Sequence, residues 1–122
     1  MERIVSNAAT AVRPLSTEAV LQNHLRAAKI GVDAVMQDYT DQSVLITHYA
    51  TYRGLAEIQG FFTALFGALP RGFFDELKMI RQEIVGEVAY VLWERQPQIA
   101  RATDTFVVRN GTILVQTFTV MQ

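Results

Sequence analysis

Apolar positions in the first half of the chain recur at the three- and four-residue spacing of amphipathic helices. Ser16 followed by Glu18 supplies a hydroxyl cap and an acidic first turn, which together are typical of a helix start. Pro70 ends the last of the apolar stripes, because proline cannot continue a helix. The pattern predicts three helices, which cover residues 16–28, 32–39 and 55–69.

The second half changes to short β-branched and aromatic segments separated by turn residues. Extended segments are predicted at residues 44–49, 77–85, 88–96 and 99–120. Asn110-Gly111 divides the last of them, and strands joined by such short turns pair antiparallel. This order of elements, with the helices first and an antiparallel meander last, indicates an α+β protein whose helices lie on one face of a curved sheet.

Composition narrows the classes of protein that this chain can be. Its 122 residues fit one domain, predicted at residues 16–122 after an irregular N-terminal arm at residues 1–15. A net charge of -1 without a basic run disfavours a nucleic-acid partner. No cysteine is present, which excludes disulfides and thiolate chemistry, and no apolar run is long enough to span a membrane. We expect a cytoplasmic protein.

Metal and cofactor motifs are missing from the sequence. The two histidines show no ligand spacing, and the glycines are scattered rather than grouped in a phosphate-binding loop. We therefore predict that the protein acts on a small molecule without a metal ion or other cofactor.

Three stretches of the sequence resemble a known superfamily. They are residues 33–41, Arg53-Gly54 with the following Phe61-Phe62, and the hairpin at residues 102–113. In this order they are similar to the SnoaL-like, or nuclear transport factor 2-like, proteins that include ketosteroid isomerase. The resemblance implies a cone-shaped α+β barrel, in which three helices and a curved, mixed and mainly antiparallel sheet enclose a cavity. It also implies a small hydrophobic ligand and, for many members, a homodimer.

Asp104 is the strongest candidate for chemistry. The resemblance places it where ketosteroid isomerase keeps a cavity carboxylic acid. Period-two alternation then turns a set of mostly apolar side chains toward the same cavity: Ala102, Phe106, Val108, Leu114, Gln116, Phe118 and Val120. Such surroundings raise the pKa of a carboxyl and suit it to general acid or base catalysis. Alternatively, Asp104 is a paired or solvated strand residue.

The other catalytic groups of ketosteroid isomerase are not matched. Thr47 stands in the position of its catalytic base, and Asn23-His24 in the position of a tyrosine that stabilises the oxyanion. Ketosteroid isomerase activity itself is therefore improbable, although Asn23 or His24 can still donate a hydrogen bond to a ligand. His48 is a weaker catalytic candidate, because alternation turns it away from the cavity.

Large side chains with polar tips are the remaining candidates for ligand contact. Tyr39, Tyr52 and Trp93 suit either a ligand-binding wall or an ordinary core with a wet edge. Trp93 faces inward by parity, so its indole N–H can orient a polar group of the ligand. Phe106, Gln116 and Phe118 complete the predicted contacts through the alternation of the last two strands.

The outward-facing strand positions are apolar as well. They are Val88, Tyr90, Leu92, Val107, Ile113 and Val115, and they predict a homodimer through the outer sheet face. Two functions remain open. The first is an isomerase, cyclase or dehydratase that uses Asp104, and the second is a non-catalytic module that binds a ligand or a protein.

Overall fold

The computed structural model describes residues 15–121, so all but the last residue of the predicted arm lies outside the described residues. Its helices are α1 (Thr17–Ala28), α2 (Val32–Met36) and α3 (Gly54–Ala68), followed by a short 3₁₀ helix (Phe73–Glu76). Its strands are β1 (Val44–Thr47), β2 (Thr51–Arg53), β3 (Lys78–Val85), β4 (Val88–Arg95), β5 (Ile99–Arg109) and β6 (Thr112–Met121). Within residues 15–121, no helix combines the length and apolarity needed to cross a membrane.

A helix cap and a hairpin turn lie at the positions where the sequence predicts them. The Ser16 hydroxyl accepts a hydrogen bond from the backbone N–H of Ala19 at 3.1 Å, which caps α1 as expected. Asn110 and Gly111 take positive φ angles of 53° and 77°, the conformation of a tight hairpin turn between β5 and β6. The three predicted helices are confirmed. Strand β2 and the 3₁₀ helix were not predicted, because three or four residues are too few to show a period.

The six strands form one mixed sheet in the order β2-β1-β6-β5-β4-β3. Strands β1 and β6 run parallel, and the other neighbouring pairs are antiparallel. The α+β architecture with a mainly antiparallel sheet is thus confirmed. Helices α1 and α3 cover one face of the sheet, where Leu21 and Ile58 are buried together with Val91 and Phe106.

One strand departs from simple alternation. Val107 pairs with Val115 but Val108 pairs with Ile113, so Leu114 is an extra residue that makes a β-bulge. The bulge reverses the predicted parity at the start of β6 and leaves Gln116 and Phe118 facing the cavity as predicted. Ile113, predicted to face outward, is 1% exposed and belongs to the core, and Leu114, predicted to face inward, is only half-buried.

Candidate functional site

A cavity of about 320 Å³ lies between the helices and the inner face of the sheet. This volume is at the lower end of the range for small-molecule sites, roughly 300–1,000 Å³. Most of its wall is apolar, and six phenylalanines of this wall come from α3, the 3₁₀ helix and the last two strands: Phe61, Phe62, Phe66, Phe74, Phe106 and Phe118. The wall favours an apolar ligand of modest size.

Asp104 lies on β5 at the inner end of this cavity and is only 7% exposed. Its direct cross-strand neighbours are Val91 and Phe118, neither of which has a polar side chain. The hydrogen bonds come from the next side chains on the same face, two residues further along each strand. The Trp93 indole N–H donates to Oδ2 at 2.9 Å, and the Gln116 amide donates to Oδ1 at 2.9 Å. Each oxygen of the carboxyl therefore accepts one bond from the protein.

The pKa of Asp104 is raised above its ordinary value, mainly because burial removes water from the charged form. The hydrogen bonds from Trp93 and Gln116 and the charge of His24 lower the pKa and offset part of this effect. The net result is a carboxyl that keeps its proton to a higher pH than an aspartate in water does.

Tyr39 extends the hydrogen-bonded chain behind the cavity wall. Its hydroxyl donates to Oε1 of Gln116, which fixes the amide so that its N–H₂ points to Asp104. The pKa of Tyr39 is raised well above its ordinary value by burial and by the negative charges of Asp104 and Asp38. Tyr39 is thus a neutral donor that holds Gln116 in place.

His24 is the second titratable side chain at the inner end of the cavity. It lies on α1, and its Nδ1 is 2.9 Å from Oδ2 of Asp38, which follows α2. The two side chains are only 9% and 14% exposed. Because a carboxylate can only accept, this contact places the proton on Nδ1 and leaves Nε2 as the basic nitrogen. Among the described residues, no protein group is hydrogen-bonded to Nε2.

Aromatic rings hold the His24 imidazole in this orientation. Phe106 meets it edge to face with 5.2 Å between ring centres, and Tyr39 does the same at 5.9 Å. Packing and the Asp38 contact therefore restrict the ring together, and His24 is one of the residues that line the cavity.

Six of the residues predicted from the sequence line the cavity: His24, Trp93, Asp104, Phe106, Gln116 and Phe118. Trp93 and Phe118 stack almost parallel, with an angle of 8° between their planes. The structure thus gathers the polar candidates of three strands and one helix at the same end of the cavity.

The other predicted residues lie elsewhere. Tyr39 is buried behind the wall, and Asn23 accepts a hydrogen bond from Arg26. The Thr47 hydroxyl donates to the carbonyl of Ala50 and so belongs to the turn between β1 and β2. In the places that the structure gives them, none of these side chains lines the cavity.

Tyr52 and His48 also lie outside the cavity lining. The Tyr52 ring packs on Phe61 with 5.0 Å between centres. His48 is exposed in the turn after β1 and stacks on Tyr49 at 4.0 Å. The strand was predicted to reach residue 49, but β1 ends at Thr47, so His48 lies past the strand and its exposure follows from the turn rather than from alternation.

Asp38 is the residue of the site that the sequence did not point to. The signal that was present is weak: an acid follows the second helix, fourteen residues after a histidine on the first. Only the angle between α1 and α2 brings the two together. Within the described residues, no three His, Asp or Glu side chains are arranged to hold a metal ion.

Comparison with known proteins identifies the fold. No protein-family model and no curated protein matches the chain. A SnoaL-like protein of unknown function from Burkholderia thailandensis E264 superposes with a TM-score of 0.71 at 10% identity, over 87% of this chain and 95% of that one. The chain has the SnoaL-like, NTF2-like fold.

Other proteins with the SnoaL-like fold are equally distant in sequence. A polyketide cyclase-like protein from Sinorhizobium meliloti has a TM-score of 0.68 at 16% identity, over 85% of this chain and 99% of that one. A protein from Catenulispora acidiphila with a ketosteroid isomerase-like fold, in complex with trimethylamine, has a TM-score of 0.62 at 12% identity, over 81% and 82%. The resemblance predicted from the sequence is confirmed, and at these identities it extends to the fold alone.

Proposed function

We propose that the cavity binds a small, mainly apolar molecule with a carbonyl oxygen, and that Asp104 and His24 transfer protons on it. Isomerisation, cyclisation and dehydration of such compounds all need this chemistry. One observation carries the proposal: two buried titratable side chains, His24 and Asp104, line the same cavity, and most of its other lining residues are apolar.

His24 is the base in this proposal. Its Nε2 takes a proton from the carbon next to the carbonyl group, and the electron pair of the broken C–H bond moves into a new C=C bond. Asp38 accepts the Nδ1–H bond and stabilises the imidazolium that forms. Negative charge then develops on the carbonyl oxygen of the ligand.

Asp104 is the acid that stabilises this negative charge. Its raised pKa keeps it protonated over a wider range of pH, so that it donates a hydrogen bond or its proton to the developing oxyanion. Trp93 and Gln116 hold the carboxyl in place from both sides. Two side chains with different surroundings thus take the two complementary roles.

One structural neighbour favours this class of ligand, and a second supports only the binding of a small molecule. One is polyketide cyclase-like, and cyclisation of a polyketide is carbonyl chemistry. Another holds trimethylamine, a small organic molecule. Steroid isomerisation is a poorer candidate, because the Thr47 hydroxyl is bonded within a turn and does not line the cavity.

A non-catalytic binding module is the second candidate. The observation in its favour is that both oxygens of Asp104 already accept hydrogen bonds from the protein. A carboxyl held in this way can serve as a structural centre for β4, β5 and β6, while the cavity holds a ligand without turnover.

The exchange of α-protons separates these candidates. We would incubate the protein with 2-tetralone, a two-ring enolisable ketone, in D₂O and follow loss of the α-proton signals by NMR. Exchange that is faster than in buffer, and that His24→Gln and Asp104→Asn both slow, is the expected result. His48→Gln is the matched control, since it removes the exposed histidine outside the cavity.

The outcomes are distinct. Binding of the ketone, seen as shifts of the Trp93 indole signal, without faster exchange favours the non-catalytic module. Exchange that His24→Gln and His48→Gln slow equally contradicts the role of the cavity histidine. Absence of both binding and exchange for a panel of small ketones contradicts the proposal as a whole.

We also propose that the outer sheet face pairs with a second copy of this chain. Five valines stand in one cross-strand row on that face: Val85, Val88, Val107, Val115 and Val44. Val85 is 66% exposed and Val88 is 40% exposed in the isolated chain. A two-fold dimer would bury this row against its own copy.

A further inference from the structure

The rim of the cavity carries positive charge, although the whole chain carries a net charge of -1. Arg26 and Lys29, at the C-terminal end of α1, line the cavity beside its aromatic wall. Lys29 also lines a second recess of about 220 Å³, together with Arg71. The two spaces share Phe66 and several other wall residues, so the recess adjoins the cavity. We call Arg26, Lys29 and Arg71 the basic rim.

Among the described residues, the members of the basic rim form no ion pair, which they share with Arg53, Lys78 and Arg101, but the rim alone places such charges at a cavity. Arg81, Arg95 and Arg109 each lie within 4.0 Å of a glutamate carboxylate. Among the described residues, no carboxylate lies within that distance of any member of the basic rim. The guanidinium of Arg26 donates instead to the neutral amide of Asn23.

Two local features offset part of this charge. Asp75 is the one carboxylate among the residues that line the second recess. The carbonyl groups at the C-terminal end of α1 contribute roughly half a negative charge next to Arg26 and Lys29. Three cations exceed these two contributions together, and all three are exposed, whereas Asp104 of the cavity is buried, so the exposed edge of an apolar cavity carries an excess of formal positive charge. Low-dielectric walls concentrate the potential of such charges.

We infer that the ligand of this cavity is an apolar carboxylic acid, whose hydrocarbon part lies among the phenylalanines and whose carboxylate faces the basic rim. This inference rests on the proposed function, because it names the class of molecule that the same cavity takes. A carboxylate at the rim would also orient the opposite end of the ligand toward Asp104 and His24.

Binding of an acid and its neutral analogue tests the inference. The probes are the carboxylate 2-naphthaleneacetate and its neutral amide 2-naphthaleneacetamide, which differ in charge but scarcely in shape. Their affinities are measured by NMR titration at low salt. The variant is the triple substitution Arg26→Gln, Lys29→Gln and Arg71→Gln. The matched control is Arg53→Gln, Lys78→Gln and Arg101→Gln, which removes the same charge from exposed residues that line neither the cavity nor the recess.

We expect the acid to bind more tightly than the amide, and the triple rim variant to weaken the acid by about tenfold while the amide is unaffected, since each exposed charge pair contributes roughly two- to fivefold. The control variant should weaken the acid much less, and added salt should reduce the preference for the acid. Equal affinities for acid and amide, or equal effects of the two triple variants, overturn the inference and leave the proposed function standing. If neither probe nor any small ketone binds, the proposed function fails as well.

Discussion

Trp93 donates its indole N–H to Asp104 across 2.9 Å, although the two residues are not directly opposite on β4 and β5. Val91 occupies the opposite position, and Trp93 reaches the carboxyl along the diagonal. A large ring thus brings a single donor to a carboxyl that is closed off from water by apolar neighbours. This hydrogen bond stabilises the charged carboxylate and lowers the pKa of Asp104. Burial has the opposite effect, because it favours the neutral form and raises the pKa.

Trp93→Phe should therefore raise the pKa of Asp104 further. The substitution keeps an aromatic ring in the wall but removes the donor that lowers the pKa, while burial persists. A carbon-detected NMR titration of the side-chain carboxyls measures this pKa, with Asp104→Asn to assign the signal. Tyr90→Phe, on the outer face of the same strand, is the control and should leave the pKa unchanged. A lower pKa in Trp93→Phe would contradict this account of the site.

Much of this cluster could be predicted from the sequence, because strand alternation is a local property. The alternation turned Trp93, Asp104 and Gln116 toward one face, and the structure places all three in the cavity lining. It was wrong for Ile113 and Leu114, because a bulge adds one residue and leaves no clear trace in the pattern.

The contact between His24 and Asp38 could not be predicted in the same way. It depends on how α2 is placed relative to α1 after Gly31. That placement comes from the contacts of α2 with both α1 and α3, and from the hydrogen bond that the Ile113 N–H donates to the Asp38 carbonyl, rather than from either helix alone. The same holds for the basic rim, whose members are brought together by the ends of α1 and α3.

The stability of the protein should depend on Asp104 in a defined direction with pH. Its pKa in the folded state is raised above the ordinary value of 3.8, so the folded state binds this proton more tightly than the unfolded state does. The stabilisation by this proton is complete below 3.8 and is lost as pH rises through the folded-state pKa. Each unit of upward shift corresponds to about 1.36 kcal/mol.

Asp104→Asn removes this dependence, since an amide does not titrate. The free energy of unfolding of Asp104→Asn, relative to the natural protein, should therefore increase as pH rises above 3.8 and level off once pH is well above the folded-state pKa of Asp104. Urea denaturation at a series of pH values measures the difference. A difference that narrows as pH rises would mean that hydrogen bonds, and not burial, dominate the environment of the carboxyl.

Tyr39→Phe should destabilise the fold without touching the cavity wall. The tyrosine hydroxyl is the donor to Oε1 of Gln116, and its removal leaves this buried oxygen without a partner. Such a loss costs about 1–3 kcal/mol. Tyr49→Phe is the matched control, because Tyr49 is 87% exposed. Urea denaturation of both variants should show a loss for Tyr39→Phe alone, and equal stabilities would mean that the Gln116 amide is held by other contacts.

The row of valines on the outer face leads to a prediction about assembly. Strands are spaced about 4.8 Å apart, so a row across five strands makes an apolar stripe of roughly 19 Å. A lysine within the stripe would bring an unpaired charge into a two-fold interface, where it loses its hydration. Val115→Lys and Val88→Lys should therefore convert a dimer into a monomer in sedimentation velocity experiments.

Two variants are needed because Val115 is half-buried in the isolated chain, whereas Val88 is 40% exposed and should accept a lysine without loss of the fold. Thr63→Lys, at an exposed position of α3 away from the sheet, is the control and should sediment like the natural protein. If Val88→Lys still sediments as a dimer and its circular dichroism is unchanged, the interface lies on another surface. If the natural protein is a monomer at tens of micromolar, the stripe is not a self-association surface at all.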